Sequence, residues 1–256
     1  MKLLTFIIVL LLGIHLNYIQ KEKPVDDSVN NELIELSEKL LLQVKMEEPT
    51  STIEKRLNDI SFESLRIGLP SDKAKLTFWI NIYNAYFQIL AIQKNLEKPA
   101  IFTKKVIPIA NHFFSLDEIE HGILRKYRWK YGLGYLPDPF PGKKIRHLAV
   151  EKTDYRLHFA LNCGATSCPP IAFYNYEDID AQLRLATESF LETDTKIHEE
   201  EKVVYVSKLF LWFRADFGGR SGINRILSKQ FNIDFSKYKL KYNDYNWDTQ
   251  LQNFND

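Results

Sequence analysis

Hydrophobic positions repeat at helical spacing in four long segments of the chain. Leucines spaced three and four residues apart predict a first helix over residues 31–46. Ser71 can cap the start of the most hydrophobic internal helix, which spans residues 75–92. Two amphipathic helices are predicted over residues 115–129 and 176–191. Helices therefore supply most of the predicted structure.

Shorter apolar runs between these helices predict a few strands. They lie at residues 145–150, 156–161 and 203–206, and a proline-rich loop at 136–142 precedes the first of them. Ser207 can cap a further short helix that ends before Gly218-Gly219. Helices flanking a few non-adjacent strands indicate an α+β fold, a single globular domain with a small central sheet and several helices around it.

The N-terminus predicts export from the cytoplasm. Met1-Lys2 is followed by about a dozen apolar residues, as in a secretory signal, and the stretch is short for a transmembrane helix. We therefore assign residues 1–20 to a signal peptide or N-terminal anchor, residues 21–30 to a polar linker, and residues 31–256 to the globular domain. The expected location is the periplasm or the cell envelope.

Composition limits the partners. Among 256 residues, 34 Lys and Arg balance 33 Asp and Glu, which argues against nucleic acid and against general attraction to anionic membranes. Membrane contact is expected only through the N-terminal segment, if that segment stays uncleaved. No motif predicts a cofactor or a metal, and the expected ligand is an unknown small molecule or peptide.

The only two cysteines of the chain lie in one run, His158 to Pro170, with the sequence HFALNCGATSCPP. Three interpretations are open. Cys163 and Cys168 can close a small disulfide loop. Cys163 can instead be a thiolate nucleophile, because the turn after it offers backbone N–H groups that lower a thiol pKa. The third interpretation is a pair of inert thiols or a metal site, although four intervening residues is not the usual zinc spacing.

His158 is a candidate base with an equal structural alternative. In the predicted strand it lies on the opposite face from Cys163 and roughly 16 Å away along the chain, so a direct local pair is not expected. A core histidine bonded to a backbone carbonyl explains it equally well.

Polar residues interrupt two apolar helix faces. Thr77, Asn81, Asn84 and Gln88 form one narrow stripe on the most hydrophobic helix, which either pins neighbouring backbone or lines a polar cavity.

On the helix that Ser115 and Glu118 start with a capping box, Glu120 projects from the apolar face, with His121 at its edge and Arg125 one turn beyond. A Glu-His couple beside a cavity can supply acid or base catalysis, while a Glu anchored by nearby donors is the structural alternative.

The chain resembles bacterial exported members of the domain of unknown function 547 family over roughly residues 65–219. The resemblance implies a fold and a set of residues to examine, but no substrate. The motifs that carry it are Trp79-Ile-Asn-Ile-Tyr-Asn-Ala85, Ser115-Leu-Asp-Glu-Ile-Glu-His121, Arg156-Leu-His-Phe-Ala-Leu-Asn-Cys-Gly164, Ser167-Cys-Pro169 and Asp216-Phe-Gly218.

The candidate site residues are Cys163, His121, Glu120, Asn81, Asn84, His158 and Cys168. As an enzyme, the protein is expected to be a thiol-dependent acyl or amide hydrolase or transferase. Cys163 would be the nucleophile, His121 or another imidazole the base, Asn81 or Asn84 the orienting amide, and the amides of residues 164–167 the oxyanion donors.

Two rival interpretations are open, the first of them from another class. One is a non-catalytic envelope module, for binding or structure, with a Cys163–Cys168 disulfide. The other is a metal-dependent enzyme that uses His121, His158 and a thiolate.

Overall fold

The structure, a computed structural model, describes residues 29–255. The predicted signal peptide or anchor over residues 1–20 and all but the last two residues of the predicted linker lie outside this range. Among residues 29–255, no helix has the length and apolar character that crossing a bilayer requires.

Helices make up about half of the described part of the chain. The α-helices are α1 (Asn31–Lys45), α2 (Ser51–Asp59), α3 (Phe62–Gly68), α4 (Asp72–Gln88), α5 (Ala100–Thr103), α6 (Lys143–Leu148), α7 (Ile179–Asp194), α8 (Leu209–Trp212) and α9 (Gly219–Phe231). Two segments are π-helical, Ile89–Gln93 and Glu118–Leu124, and two are 3₁₀-helical, Tyr155–Phe159 and Phe235–Lys237.

Strands form two small sheets. The strands are β1 (Ile107–Ile109), β2 (His112–Phe114), β3 (Lys196–His198), β4 (Val203–Val206) and β5 (Lys239–Tyr242). β1 pairs antiparallel with β2; β4 pairs antiparallel with β3 and parallel with β5. The predicted strand at 203–206 is confirmed, and so is the α+β fold class.

The core is built around α4. The Ser71 hydroxyl accepts a hydrogen bond from the Ala74 N–H at 3.2 Å, so the predicted cap starts this helix. Because α4 is apolar nearly all round, every residue from Leu76 to Gln88 is buried, and α1 packs along it. A second apolar cluster, which includes Phe159, packs among α7, β4 and α9.

Two predicted strands are wrong. Residues 145–150 mostly belong to α6, and residues 156–161 lie in and after the 3₁₀ helix Tyr155–Phe159, which the Asp154 carboxylate caps by accepting from Arg156 N–H at 3.0 Å. Short apolar runs fit a buried turn of helix as well as a strand, so periodicity alone could not separate them. The opposite-face argument for His158 and Cys163 therefore does not apply.

The helix predicted over residues 115–129 is shorter and of a different type. Its capping box is present: Ser115 Oγ accepts from Glu118 N at 3.1 Å, and a Glu118 carboxylate oxygen accepts from Ser115 N at 3.2 Å. The segment then continues as the π-helix Glu118–Leu124 and ends at Arg125.

Candidate functional site

A cavity of about 200 Å³ brings most of the predicted site residues together. Glu120, His121, His158, Cys163 and Cys168 all line it, although they come from a π-helix, a 3₁₀ helix and the loop that follows. Aromatic side chains make up much of the remaining wall; they are Tyr83, Phe102, Trp212, Phe213, Tyr245 and Trp247. We call this cavity the disulfide cleft.

The π-helix sets the positions of Glu120 and His121. Its hydrogen bonds span five residues, as in the bond from Arg125 N to Glu120 O at 2.9 Å and that from Tyr127 N to Gly122 O at 2.7 Å. The wider turn changes which side chains share a face, and π-helical turns are frequent at functional sites. Glu120 and His121 thereby reach the same cavity although they are neighbours in sequence.

Glu120 has one close hydrogen-bond partner. Tyr83 donates its hydroxyl to Glu120 Oε2 at 3.2 Å, and His121 Nδ1 lies 3.5 Å from Oε1. Burial raises the pKa of Glu120 above its ordinary value, and the positive charge of Arg125 only partly offsets this. The shift extends the pH range over which the Glu120 carboxyl group stays protonated.

His121 is held neutral. Its Nδ1 lies 2.8 Å from Arg125 Nη1, which can only donate, so Nδ1 is the acceptor and Nε2 carries the proton. Burial, followed by the charge of Arg125, lowers the pKa of His121 to about 3. Because Arg125 occupies the basic nitrogen, the geometry gives His121 little capacity to act as a base for Cys163.

Asp216 joins Arg125 and His158 beneath the cleft. Its Oδ2 accepts from Arg125 Nε at 2.6 Å and from His158 Nε2 at 2.9 Å. Burial lowers the pKa of His158. Burial also opposes ionisation of Asp216, but the hydrogen bond from His158 and the charge of Arg125 outweigh it and lower that pKa. Neutral His158 stacks on Phe213 at 4.0 Å between ring centroids.

Glu120 differs from the other carboxylates around the cleft. Asp216 pairs with Arg125, and Asp117 pairs with Lys130 Nζ at 2.7 Å. In the described part of the chain, no Lys or Arg nitrogen comes within 4.0 Å of the Glu120 carboxylate. The cleft thus contains one acidic group without a permanent countercharge.

Cys163 and Cys168 form a disulfide, with Cα atoms 6.1 Å apart. Of the three interpretations of the cysteine pair, the disulfide is confirmed, and neither thiol is free in this state. The hydrogen-bond donors converge on Cys168: its Sγ lies 3.1 Å from Cys163 N and 3.2 Å from the Tyr245 hydroxyl, which is 3.5 Å from Cys163 Sγ.

The predicted oxyanion donors are mostly engaged elsewhere. Gly164 N donates to Asn162 Oδ1 at 2.9 Å, Thr166 N to Asp248 O at 2.9 Å, and Ser167 N to Asn246 O at 3.3 Å. The bonds from Thr166 and Ser167 hold the loop against the C-terminal segment, and three of the four amides at 164–167 are not available to a substrate.

Asn81 and Asn84 are not among the residues that line the cleft. Asn81 donates to Tyr174 O at 2.7 Å and accepts from Tyr174 N at 3.2 Å. Asn84 donates to Ala160 O at 2.9 Å and accepts from Asn162 N at 2.9 Å. Both amides therefore pin main chain. Asn84 does so directly before Cys163 and positions that part of the wall.

Several wall residues were not predicted as site residues. Tyr83 belongs to a motif that carries the family resemblance. The same holds for Asp216, which does not line the cleft but bonds to His158, so each had a sequence signal. Tyr245 and Trp247 lie about 80 residues after the disulfide, and no local pattern links them to it. Their aromatic rings pack on each other at 4.6 Å, and both also pack on Trp212.

A larger groove of about 950 Å³ lies elsewhere, between α7 and α9. Charged side chains of both signs line it, and Arg156 pairs there with Asp154 and Asp180. Asp216 reaches its wall, but none of the seven candidate site residues does. The candidate residues with shifted pKa values, Glu120, His121 and His158, lie in the smaller cleft.

A metal site finds no support among residues 29–255. They contain no group of three His, Cys, Asp or Glu side chains placed to hold a metal ion. His121 and His158 are instead occupied by Arg125 and Asp216.

Comparison with known proteins gives a family. No curated protein and no solved structure was found to match the chain. Residues 68–191 match the model of the family described as "Protein of unknown function, DUF547", and this range includes Tyr83, Glu120, His121, His158 and both cysteines. Through this segment, the chain is a member of the domain of unknown function 547 family.

Proposed function

We propose that the protein, in its disulfide-bonded form, binds a small uncharged ligand in the disulfide cleft and that protonated Glu120 donates a hydrogen bond to it. The observation that carries this proposal is the Glu120 carboxyl group, which faces the cavity without a cationic partner and has a raised pKa. A buried acid kept neutral is a good donor to a carbonyl or ether oxygen.

The wall of the cleft favours a ligand with one flat apolar face. Tyr245, Trp212 and Trp247 offer contiguous aromatic surface, while Tyr83 and Glu120 add polar groups to the lining of the same cavity. A mostly apolar wall with a few polar groups is the usual construction of a small-molecule site. Small amides and esters present both features, an acceptor oxygen and an apolar body.

The test is a binding screen of small neutral amides and esters, followed by thermal shift and by tryptophan fluorescence. Binding to the unmodified protein should weaken as pH rises through the raised pKa of Glu120, because the ionised carboxylate no longer donates. Glu120→Gln keeps an N–H donor and should bind with little dependence on pH, whereas Glu120→Leu should not bind. Binding that strengthens with rising pH, or that survives in Glu120→Leu, contradicts the proposal.

Thiol-dependent acyl or amide chemistry is the second candidate, and it requires a dithiol reductant to open the disulfide. It is supported by the presence of Cys163 and His158 in the lining of one cavity, with Asp216 orienting the imidazole through Nε2. With the proton on Nε2, Nδ1 is the basic nitrogen. His158 is therefore better placed as the base than His121.

Iodoacetamide labelling of the reduced protein against pH tests the second candidate. A reactive thiolate should label well below the ordinary thiol pKa of about 8.5. Cys163→Ser and Cys168→Ser identify which sulfur reacts, and the donors that converge on Cys168 favour that sulfur as the more acidic one. Labelling only at alkaline pH would leave the disulfide with a structural role in a non-catalytic module.

Export to the periplasm or cell envelope is proposed on two grounds. The N-terminal sequence has the composition of a signal, and a disulfide persists most readily in an oxidising compartment. Fractionation of cells that produce the full chain, with mass analysis of the product, tests it. Charges introduced by Leu10→Arg with Leu11→Arg should retain the protein in the cytoplasm, and an unchanged distribution would contradict export.

A further inference from the structure

Residues 129–142 present large apolar side chains to solvent. Fourteen large hydrophobic side chains are exposed in the described part of the chain, and six of them fall between positions 129 and 140. They are Trp129, Tyr131, Leu133, Tyr135, Leu136 and Phe140, with Phe140 the most exposed at 89%. We call residues 129–142 the aromatic loop. Such clustering marks an interaction surface, whereas single exposed apolar residues do not.

The aromatic loop has the opposite side-chain arrangement to an ordinary surface segment, in which large apolar side chains face the interior. From position 131 to 135, large apolar residues face outward and Gly132 and Gly134 face inward. Gly134 has φ +80°, and a Cβ there would lie 2.5 Å from Asp216 Oδ1, so no side chain fits on the inner side. The close approach to the protein interior forces the bulky residues of this segment toward solvent.

Hydrogen bonds hold the loop in this exposed arrangement. Trp129 N donates to Leu136 O at 2.9 Å, Asp138 N to Tyr127 O at 2.6 Å, and Ala215 N to Leu133 O at 3.0 Å. Three prolines at 137, 139 and 141 restrict the backbone around Phe140. Because the loop is already ordered, binding through it costs little conformational entropy.

Positive charge surrounds the aromatic loop. Residues 126–146 contain six Lys or Arg and one acidic residue, Asp138, so this segment has a formal charge of +5 while the whole chain has +1. One of these charges, on Lys130, is neutralised by its pair with Asp117. Lys143 and Arg146 are exposed next to the loop. The balance of the whole chain conceals this local excess.

We propose that the aromatic loop docks the domain on an anionic lipid bilayer. Tryptophan and tyrosine concentrate at the boundary between headgroups and acyl chains, since their rings are apolar and carry one polar atom. Exposed lysines and arginines add attraction to acidic headgroups. Trp129, Tyr131 and Phe140 enter the interface, and Lys143 and Arg146 meet the headgroup charge.

The experiment follows amide hydrogen exchange of residues 129–142 in the full chain, with vesicles of phosphatidylcholine alone or mixed with phosphatidylglycerol. Protection should appear on the mixed vesicles. Phe140→Ser should weaken partitioning roughly tenfold, and Lys143→Glu with Arg146→Glu should do so by a similar factor or more. Leu185→Ser and Lys237→Glu, at exposed positions on α7 and in the 3₁₀ helix Phe235–Lys237, should leave protection unchanged.

Exchange within the loop separates its contact from any contact made by the N-terminal stretch. If the chain sediments with vesicles while residues 129–142 stay unprotected, the loop does not dock and the proposal is overturned. Protection without vesicles that grows with protein concentration would assign the surface to a second copy of the chain instead. Equal behaviour of Phe140→Ser and Leu185→Ser would also overturn it.

Discussion

Two sets of polar side chains look alike in sequence but have different partners. One is the amide stripe of α4, Asn81 and Asn84. The other, which we call the acidic cluster, consists of Glu120, His121, Arg125 and Asp216. Asn81 and Asn84 use both ends of their amides on main-chain groups. Glu120 and His121 contact other ionisable side chains and face a cavity. An amide bonded to the main chain at both ends is held in a structural role, whereas a group whose partners titrate keeps a choice of protonation state.

The acidic cluster itself divides into a paired part and an unpaired part. Arg125 and Asp216 neutralise each other in a fully buried pair, with side-chain exposures of 0% and 2%. Glu120 is 14% exposed and has no such partner. Stability should therefore depend on the amide stripe and the Arg125–Asp216 pair, while protonation chemistry should depend on Glu120.

The largest expected effect is that of Arg125→Met. Removing the guanidinium leaves Asp216 buried without its cation, which costs about 3–5 kcal/mol of unfolding free energy. Urea denaturation measures this, with Arg146→Met, at an exposed position, as the control. A cost within about 1 kcal/mol of the control would mean that the pair is not the structural part of the cluster.

Asn84→Ala is expected to rank next. It leaves Ala160 O and Asn162 N without the partners that the amide supplies, and two unpaired buried groups cost about 2–4 kcal/mol together. The same denaturation experiment applies, with Asn31→Ala on the exposed side of α1 as the matched control. If the two variants are equally stable, the amide stripe is not a set of backbone pins.

Most of the residues that sequence reasoning selected line one cavity, but the local structure predicted around them was partly wrong. Polar residues on apolar helix faces identified Asn81, Asn84 and Glu120, because burial of a polar group requires a partner wherever it occurs. An α-helical wheel could not describe residues 118–124, since the π-helix has a different period. The runs at 145–150 and 156–161 were too short for periodicity to distinguish strand from helix.

The rest of the site depends on contacts between distant parts of the chain. The Tyr245 hydroxyl reaches Cys168 across 77 residues, and Asp216 reaches Arg125 across 91. No local pattern encodes such pairs. They are decided by how the smaller apolar cluster around Phe159 packs on the larger one around α4, and that is a property of the tertiary fold.

The third prediction concerns His121 and acid. Its pKa is lowered in the folded state to about 3, so between there and its ordinary value near 6.5 the unfolded chain binds more protons. Stability is then lost as pH falls below 6.5, by about 1 kcal/mol at pH 5.5. His121→Asn removes this loss while retaining an acceptor for Arg125.

Unfolding curves at both pH values measure the effect of His121, with His147→Asn, at an exposed position, as the control. The difference between His121→Asn and the unmodified protein should grow in favour of the variant as pH falls. If the unmodified protein and His121→Asn lose stability in parallel as pH falls, His121 is not held neutral. It then has a structural role, like the Arg125–Asp216 pair.

The smallest effect is expected for Glu120→Gln. It is also the effect that most sharply distinguishes the acidic cluster from the amide stripe. The amide has nearly the shape of the carboxyl group and can accept from Tyr83, so little packing changes. Burial raises the pKa of Glu120, so above the ordinary value of 4.5 the folded protein binds more protons than the unfolded chain, and stability falls as pH rises. Glutamine does not titrate, and the variant should gain stability relative to the unmodified protein between pH 4.5 and neutrality.

Glu200→Gln, at an exposed position, should show no such trend. A relative loss of stability in Glu120→Gln as pH rises would mean that the fold favours the ionised carboxylate, and Glu120 would then be anchored as firmly as Asn84.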